Sequence, residues 1–137
     1  MSALFSIPVR VYYEDTDAGG VVYYANYLRF MERARTEWLR MLGFEQDELS
    51  RQDGVVFAVR TANTEFLKPA RFNDLLQATV TVQRRGRASL TFAQEVQRAG
   101  EVLCRAEIRI ACIETKGFTP CPIPGRILAR VEEWTQA

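Results

Sequence analysis

The chain has 137 residues, 47% of them hydrophobic and 26% charged, with a formal net charge of +1. That length and composition predict one domain over residues 1–137 with a core of its own. Near-neutral charge argues against whole-molecule attraction to nucleic acid or acidic membranes, and the lack of any histidine removes Ser–His and Cys–His nucleophile pairs and the commonest metal ligand.

The opening segment, MSALFSIPVR, lacks a basic stretch followed by a long apolar run, so no signal peptide is expected. No transmembrane segment is expected either, since no stretch is long and apolar enough. Residues 7–13, IPVRVYY, alternate and carry branched and aromatic side chains, which predicts a strand broken by Gly19–Gly20. From Tyr24 to Leu42 the spacing turns helical. Tyr27, Met31, Ala34, Trp38 and Met41 share one face, Phe30, Leu28, Leu39 and Leu42 widen it, and Gly43 is the predicted stop.

Residues 44–54 are polar and read as a loop. VVFAVRTANTEF (55–66) reads as a strand, interrupted by Lys68–Pro69–Ala70–Arg71. A strand follows with Leu76, Ala78, Val80 and Val82 on one face and Gln77, Thr79, Thr81 and Gln83 on the other. A second carries Leu90, Phe92 and Val96. A third carries Val102, Cys104, Ala106, Ile108, Ile110 and Cys112, with Arg105, Glu107 and Arg109 opposite. The turns RRGR (84–87) and RAGE (98–101) are short and contain glycine, so neighbouring strands are expected to run antiparallel. Pro120, Pro122 and Pro124 precede a short terminal helix, ILARVEEW. The fold class is therefore α+β: about five mostly antiparallel strands wrapped around one long central helix. A single such layer leaves edges to cover, so oligomerisation is expected. Cys104, Cys112 and Cys121 match no zinc spacing and read as reduced thiols of a cytoplasmic protein.

The segment YYEDTDAGGVVYYANYLRF (12–30) places Glu14, Asp15 and Asp17 before the helix start. Asp15 reads as a structural turn residue and Glu14 as a surface strand end. For Asp17 the local sequence supports both an Asx-type turn or cap and a carboxylate facing a ligand. Asn26 is a cap or a ligand contact. Tyr23 and Tyr27 read as packing residues, and Trp38 as core or as part of an acyl pocket wall. Gly19 and Gly20 let the loop fold tightly and let a ligand approach the backbone.

At DTDAGGVVYYANY the sequence resembles the hotdog-fold acyl-CoA thioesterases. It is most similar to the 4-hydroxybenzoyl-CoA thioesterase group and its Tol-Pal-associated bacterial branch. NYLRFMERARTEWLRMLGF, EFLKPARFND (65–74) and RRGRASLTF (84–92) extend the likeness over most of the chain. The resemblance implies a helix enclosed by an antiparallel sheet, pairing into homodimers or homotetramers, and active sites at the dimer interface. It also implies hydrolysis of a coenzyme A thioester to acid and free CoA without metal or any further cofactor. It implies Asp17 as the catalytic carboxylate and the backbone N–H of Tyr24 as the group polarising the thioester carbonyl. Many members of the branch carry histidine where Tyr24 stands, but the N–H does not depend on that side chain.

That chemistry suits the residues. The first N–H groups of a helix lack internal partners and sit at the positive end of its dipole. Asp17 could act as a base on water or attack the carbonyl itself. An ordinary aspartate, with a pKa of about 3.9, is a weak base at neutral pH, and direct attack asks less of it. Gly20, Val21, Val22 and Asn26 form the expected substrate-contacting loop. Arg84, Arg85 and Arg87 cluster at a hairpin tip that the resemblance places near the nucleotide of CoA, where guanidinium forks suit phosphate. The competing expectation is a non-catalytic hotdog module that binds acyl carriers or envelope-associated partners; an acyl carrier protein is also a possible substrate carrier.

Overall fold

The structure is a computed structural model describing residues 3–136. The first two residues of MSALFSIPVR and the last residue of the 1–137 span lie outside the described residues. Five strands, β1 (Phe5–Arg10), β2 (Val55–Phe66), β3 (Leu75–Arg85), β4 (Ser89–Arg98) and β5 (Glu101–Glu114), form one sheet in the order β1-β3-β4-β5-β2. Every pairing in it is antiparallel. The helices are α1 (Tyr24–Met41), a single turn α2 (Gln46–Glu48) and α3 (Gly125–Gln136). This is the expected α+β arrangement of an antiparallel sheet and one long helix.

The spacing that predicts α1 also explains its packing. Tyr27, Phe30, Met31, Ala34, Trp38 and Leu39 are all buried, on the stripe that a 3.6-residue period brings to one face. Trp38 meets Phe92 of β4 edge to face at 5.2 Å. Each large apolar side chain taken fully out of water contributes about 1.5–3 kcal/mol, so this helix–sheet contact dominates the core. Met41 departs from its expected place: it is 43% exposed, because the helix ends there and Gly43 turns the chain away with φ 103°. Leu42 is buried instead.

Further expectations are corrected. The strand expected over 7–13 runs earlier, over Phe5–Arg10, and Tyr13–Asp15 forms a 3-10 turn. The cause is Asp15, whose carboxylate accepts the Tyr12 N–H at 2.8 Å and curls the chain out of the sheet. Residues 44–54 are not all loop: α2 leads into a wider turn at Leu49–Asp53, pinned by buried Leu49. On β5, Val102 is half-buried while Leu103 is fully buried, because a register shift between Val96 and Gln97 displaces the alternation there. Thr79, expected on the polar face, is also buried; its hydroxyl accepts the Glu95 N–H at 3.0 Å.

The RAGE turn is a two-residue connection with Ala99 and Gly100 at φ 49° and 82°, the left-handed pair that matches strand twist. The terminal helix α3 buries Ile127 and Val131 and brings Trp134 to 5.6 Å from Trp38. Its Arg126 forks onto Asp53 with two bonds of 2.7 Å. β2, twelve residues long, lies at one edge of the sheet with Val59 and Phe66 about half exposed. Among the described residues no helix is long and apolar enough to cross a membrane.

Candidate active site

The two aspartates of DTD do different work. Asp15 is buried. One of its oxygens takes the Tyr12 N–H and the other takes the Asn26 side-chain amide at 2.9 Å. Its backbone carbonyl accepts the Tyr23 N–H at 2.8 Å. Asp15 thus ties the incoming chain to the first turn of α1. From there Thr16 pairs with Val22, the Asp17 N–H donates to the Val21 carbonyl at 2.9 Å, and the Gly20 N–H donates to the Asp17 carbonyl at 3.0 Å. Gly20 sits at φ 82°, a conformation that side-chain-bearing residues adopt at a cost.

Asp17 stands exposed at the tip of this small hairpin. Its Oδ1 accepts the Gly19 N–H at 2.8 Å. Among the described residues nothing donates to its other oxygen. The Asx turn that the local sequence allows is therefore made by one oxygen, and the carboxylate as a whole stays exposed. The tip lies two residues of extended chain, roughly 7 Å, from the Tyr23–Asp15 link at the helix start.

At that start Tyr23 occupies the cap position but supplies no side-chain cap. The Asn26 N–H donates to the Tyr23 carbonyl, and the Tyr24 and Ala25 N–H groups have no acceptor among the described residues. Two amide hydrogens at the positive end of an 18-residue helix are left for an outside acceptor. The Tyr23 phenol has its pKa raised, chiefly by its neighbour Tyr24 and least by the Asp17 charge.

Not every residue of the expected substrate-contacting loop faces outward. Asn26 is buried and is not the cap, because its side chain is committed to Asp15. Val22 is buried too, and its N–H donates to the Ala70 carbonyl at 2.8 Å. Val21 is half-buried and paired with Arg71. Gly20 alone of the four is exposed. Tyr27 packs in the core as expected, and its hydroxyl also accepts the Ala70 N–H at 3.0 Å. The KPAR segment is thereby locked against the loop, and burial raises the Tyr27 pKa.

Sequence reasoning missed Phe66. It ends β2 half-exposed, 6.0 Å from Tyr24 and 5.8 Å from Tyr27. Tyr24 in turn meets Tyr23 at 4.7 Å, so Phe66, Tyr24 and Tyr23 form an aromatic row at the start of α1. No local motif flags it; only strand pairing brings residue 66 to residue 24.

Arg84, Arg85 and Arg87 are all exposed. Arg84 and Arg85 line a depression of about 400 Å³ on the outer sheet face together with Arg109. Alternation puts Arg109 on the polar face of its strand but does not link it to the hairpin. The register supplies that link: Arg84 stands opposite Thr91, and Thr91 opposite Arg109. The carboxylates nearest these guanidiniums are long contacts, 3.9 Å from Arg84 to Glu107 and 3.6 Å from Arg85 to Glu132. Such exposed pairs hold a guanidinium weakly. Arg87 does not line the depression; its backbone carbonyl instead accepts the Ile123 N–H.

A family model described as the thioesterase superfamily matches residues 19–105, starting two residues after Asp17. An acyl-CoA thioesterase, YbgC, of Haemophilus influenzae is 42% identical over 125 residues, covering 91% of this chain and 92% of that protein. The acyl-CoA thioester hydrolase YbgC of Escherichia coli is 41% identical over 133 residues, covering 96% and 98%. A crystal structure of a probable thioesterase from Bartonella henselae superposes with a TM-score of 0.86 at 34% identity, covering 89% of this chain and all of that one. With agreement in sequence and fold along nearly its whole length, the chain belongs to the thioesterase superfamily and has the hotdog fold.

Proposed function

We propose that this protein hydrolyses acyl-CoA thioesters to a carboxylic acid and free CoA, with Asp17 and the opening turn of α1 as its machinery. One observation carries the reading. Among the described residues, a carboxylate with one oxygen held and the other free stands on the loop that leads into a helix start whose first two amide hydrogens lack acceptors. The relatives named above support the reaction class.

The thioester carbonyl oxygen accepts the Tyr24 N–H, and negative charge growing there is stabilised by fixed dipoles. Loss of one such donor in a well-studied protease costs about 3 kcal/mol of barrier. The free Asp17 oxygen attacks the carbonyl carbon, the C–S bond breaks, and CoA leaves as thiolate. Water then cleaves the mixed anhydride and restores the carboxylate. A single turnover in heavy-oxygen water tests this route. Label in the Asp17 carboxylate marks the anhydride. Label confined to the product acid, with no acyl adduct on Asp17 in rapidly quenched mass spectra, assigns Asp17 to activation of water instead.

The CoA phosphates lie on the arginine depression. Replacing Arg84 and Arg109 together with alanine is expected to raise KM about tenfold at low salt and less at high salt, with kcat nearly unchanged, as suits screened surface charges. An unchanged KM at low ionic strength would move the nucleotide elsewhere. Two copies pair through the open edge of β2, giving at least a homodimer; the exposed Val59 and Phe66 support this. The compartment assigned is the cytoplasm, supported by three unbridged cysteines. Release of free thiol from a panel of acyl-CoAs tests the whole reading. No turnover on any member would favour a module that binds acyl groups without cleaving them.

A further inference from the structure

Further along α1, eight to fifteen residues past Tyr24 and so roughly 12–22 Å down the helix, lies a cavity of about 150 Å³ between α1 and the sheet. Phe57 and Val59 of β2 and Leu90 and Phe92 of β4 give it apolar walls. A cavity of about this volume holds a benzene-sized group. One of its lining residues, Arg35, is a donor with few partners.

Trp38 is 1% exposed and contributes its ring to the cavity lining. Arg35 donates from Nη1 to Gln94 Oε1 at 2.9 Å and has no carboxylate within ion-pair distance among the described residues. Gln94 is itself immobile: it is 1% exposed, and its amide nitrogen donates to the Met31 and Thr79 carbonyls, both at 3.1 Å. The guanidinium is therefore held in place with most of its donors uncommitted. Burial lowers the Arg35 pKa, the expected sign for a cation partly stripped of water.

A partly desolvated guanidinium with open donors favours an acceptor, and the complement of such a wall is an oxygen. Its formal charge should be zero. Glu32 lines the same cavity, with one oxygen held by the Thr36 hydroxyl at 2.5 Å, and it would repel a carboxylate while offsetting the charge of Arg35.

We propose that this cavity is the seat for the far end of the acyl group, and that Arg35 makes it prefer an end bearing a neutral hydrogen-bond-accepting oxygen over a plain hydrocarbon end. The proposal rests on the acyl-CoA reading above. Antiparallel self-pairing of β2 also suits it, because the Phe66 end of one strand then falls beside the Val55 end of the other. The cavity of one protomer would so approach the reactive loop of its neighbour.

The test uses straight-chain acyl-CoAs of increasing length, each paired with the counterpart carrying a keto oxygen one carbon from the chain end. Equilibrium binding is measured on the Asp17→Asn protein, so that cleavage is not needed for a readout. At the length that reaches the cavity, the keto member is expected to bind at least tenfold more tightly. Arg35→Met keeps the stem, removes the donors and should erase the preference. No keto preference at any length, or a preference that survives Arg35→Met, overturns the proposal. Absence of thiol release from the wild-type protein would instead overturn hydrolysis and leave the binding result standing.

A separate observation concerns Cys112 and Cys121. Their sulfurs lie 3.6 Å apart, and the Cys121 N–H donates to the Cys112 carbonyl at 2.9 Å, next to the Ile113–Pro120 bridge. Directly opposed ladder positions are within reach of a disulfide. We infer that these thiols form an intrachain disulfide under peroxide. Half-buried Cys121 attacks peroxide as thiolate, forming sulfenic acid and releasing hydroxide. The Cys112 thiol then displaces water from that sulfur; the two thiols lose two electrons in all and the peroxide becomes water. Treated protein should lose two hydrogens in intact mass and keep one titratable thiol, on Cys104, and Cys121→Ser should abolish the change. Sulfinic acid on Cys121 with Cys112 still free, or disulfides between chains, would overturn the inference.

Discussion

Asp17→Asn is expected to lower kcat for acyl-CoA hydrolysis by at least a hundredfold, within the range of roughly 10²–10⁴ for loss of a positioned acid–base group or beyond it if attack is direct. The variant is close to isosteric, and its side-chain oxygen still accepts the Gly19 N–H that Oδ1 accepts now. The hairpin through Val21 and Gly20 is held by backbone bonds, which the substitution does not touch. What disappears is the negative charge on the free oxygen. KM and the melting temperature should therefore stay close to wild type while turnover collapses. Thiol-release kinetics and thermal denaturation on the same preparation check both halves. Wild-type rates would remove Asp17 from the chemistry.

The periodic parts of the chain were legible because burial and sequence share a period. β2 runs over Val55–Phe66 as expected, and α1 starts at Tyr24 and buries its three- and four-residue stripe. Where a side chain intercepts the backbone, periodicity misleads. Asp15 ends β1 early by taking the Tyr12 N–H, and alternation alone carries no trace of that. Within the site, the open helix start and the Asx turn are local in sequence and could be read there. Phe66 and Arg109 could not, because their neighbours, Tyr24 and Arg84, are reached only through strand register. Asn26 was misplaced for a related reason. Capping is the local expectation for its residue type, but a buried carboxylate eleven residues earlier claims the side chain.

That buried bond sets the second prediction, which separates the two aspartates. Asp15→Ala removes the acceptor of both the Tyr12 N–H and the Asn26 amide. A buried donor left unpaired costs about 1–3 kcal/mol, and hydrogen bonds to a charged group are at the strong end. A loss of about 3 kcal/mol is expected, near 10 °C in melting temperature for a chain of this size. Asp15→Asn should be milder, about 1 kcal/mol. Its oxygen can keep the Tyr12 N–H, and a flipped Asn26 amide can accept from the new nitrogen. Activity should fall in Asp15→Ala too, because the loop carrying Asp17 loses its tie to α1. The two variants then differ in kind: Asp17→Asn is stable and inactive, whereas Asp15→Ala is destabilised and retains turnover in proportion to how well the loop holds. Pairing Asp15→Ala with Asn26→Ala should recover part of the lost stability, since the second change removes the stranded amide. Strictly additive losses, or a melting temperature unmoved by Asp15→Ala, would mean that the anchor of the loop lies elsewhere.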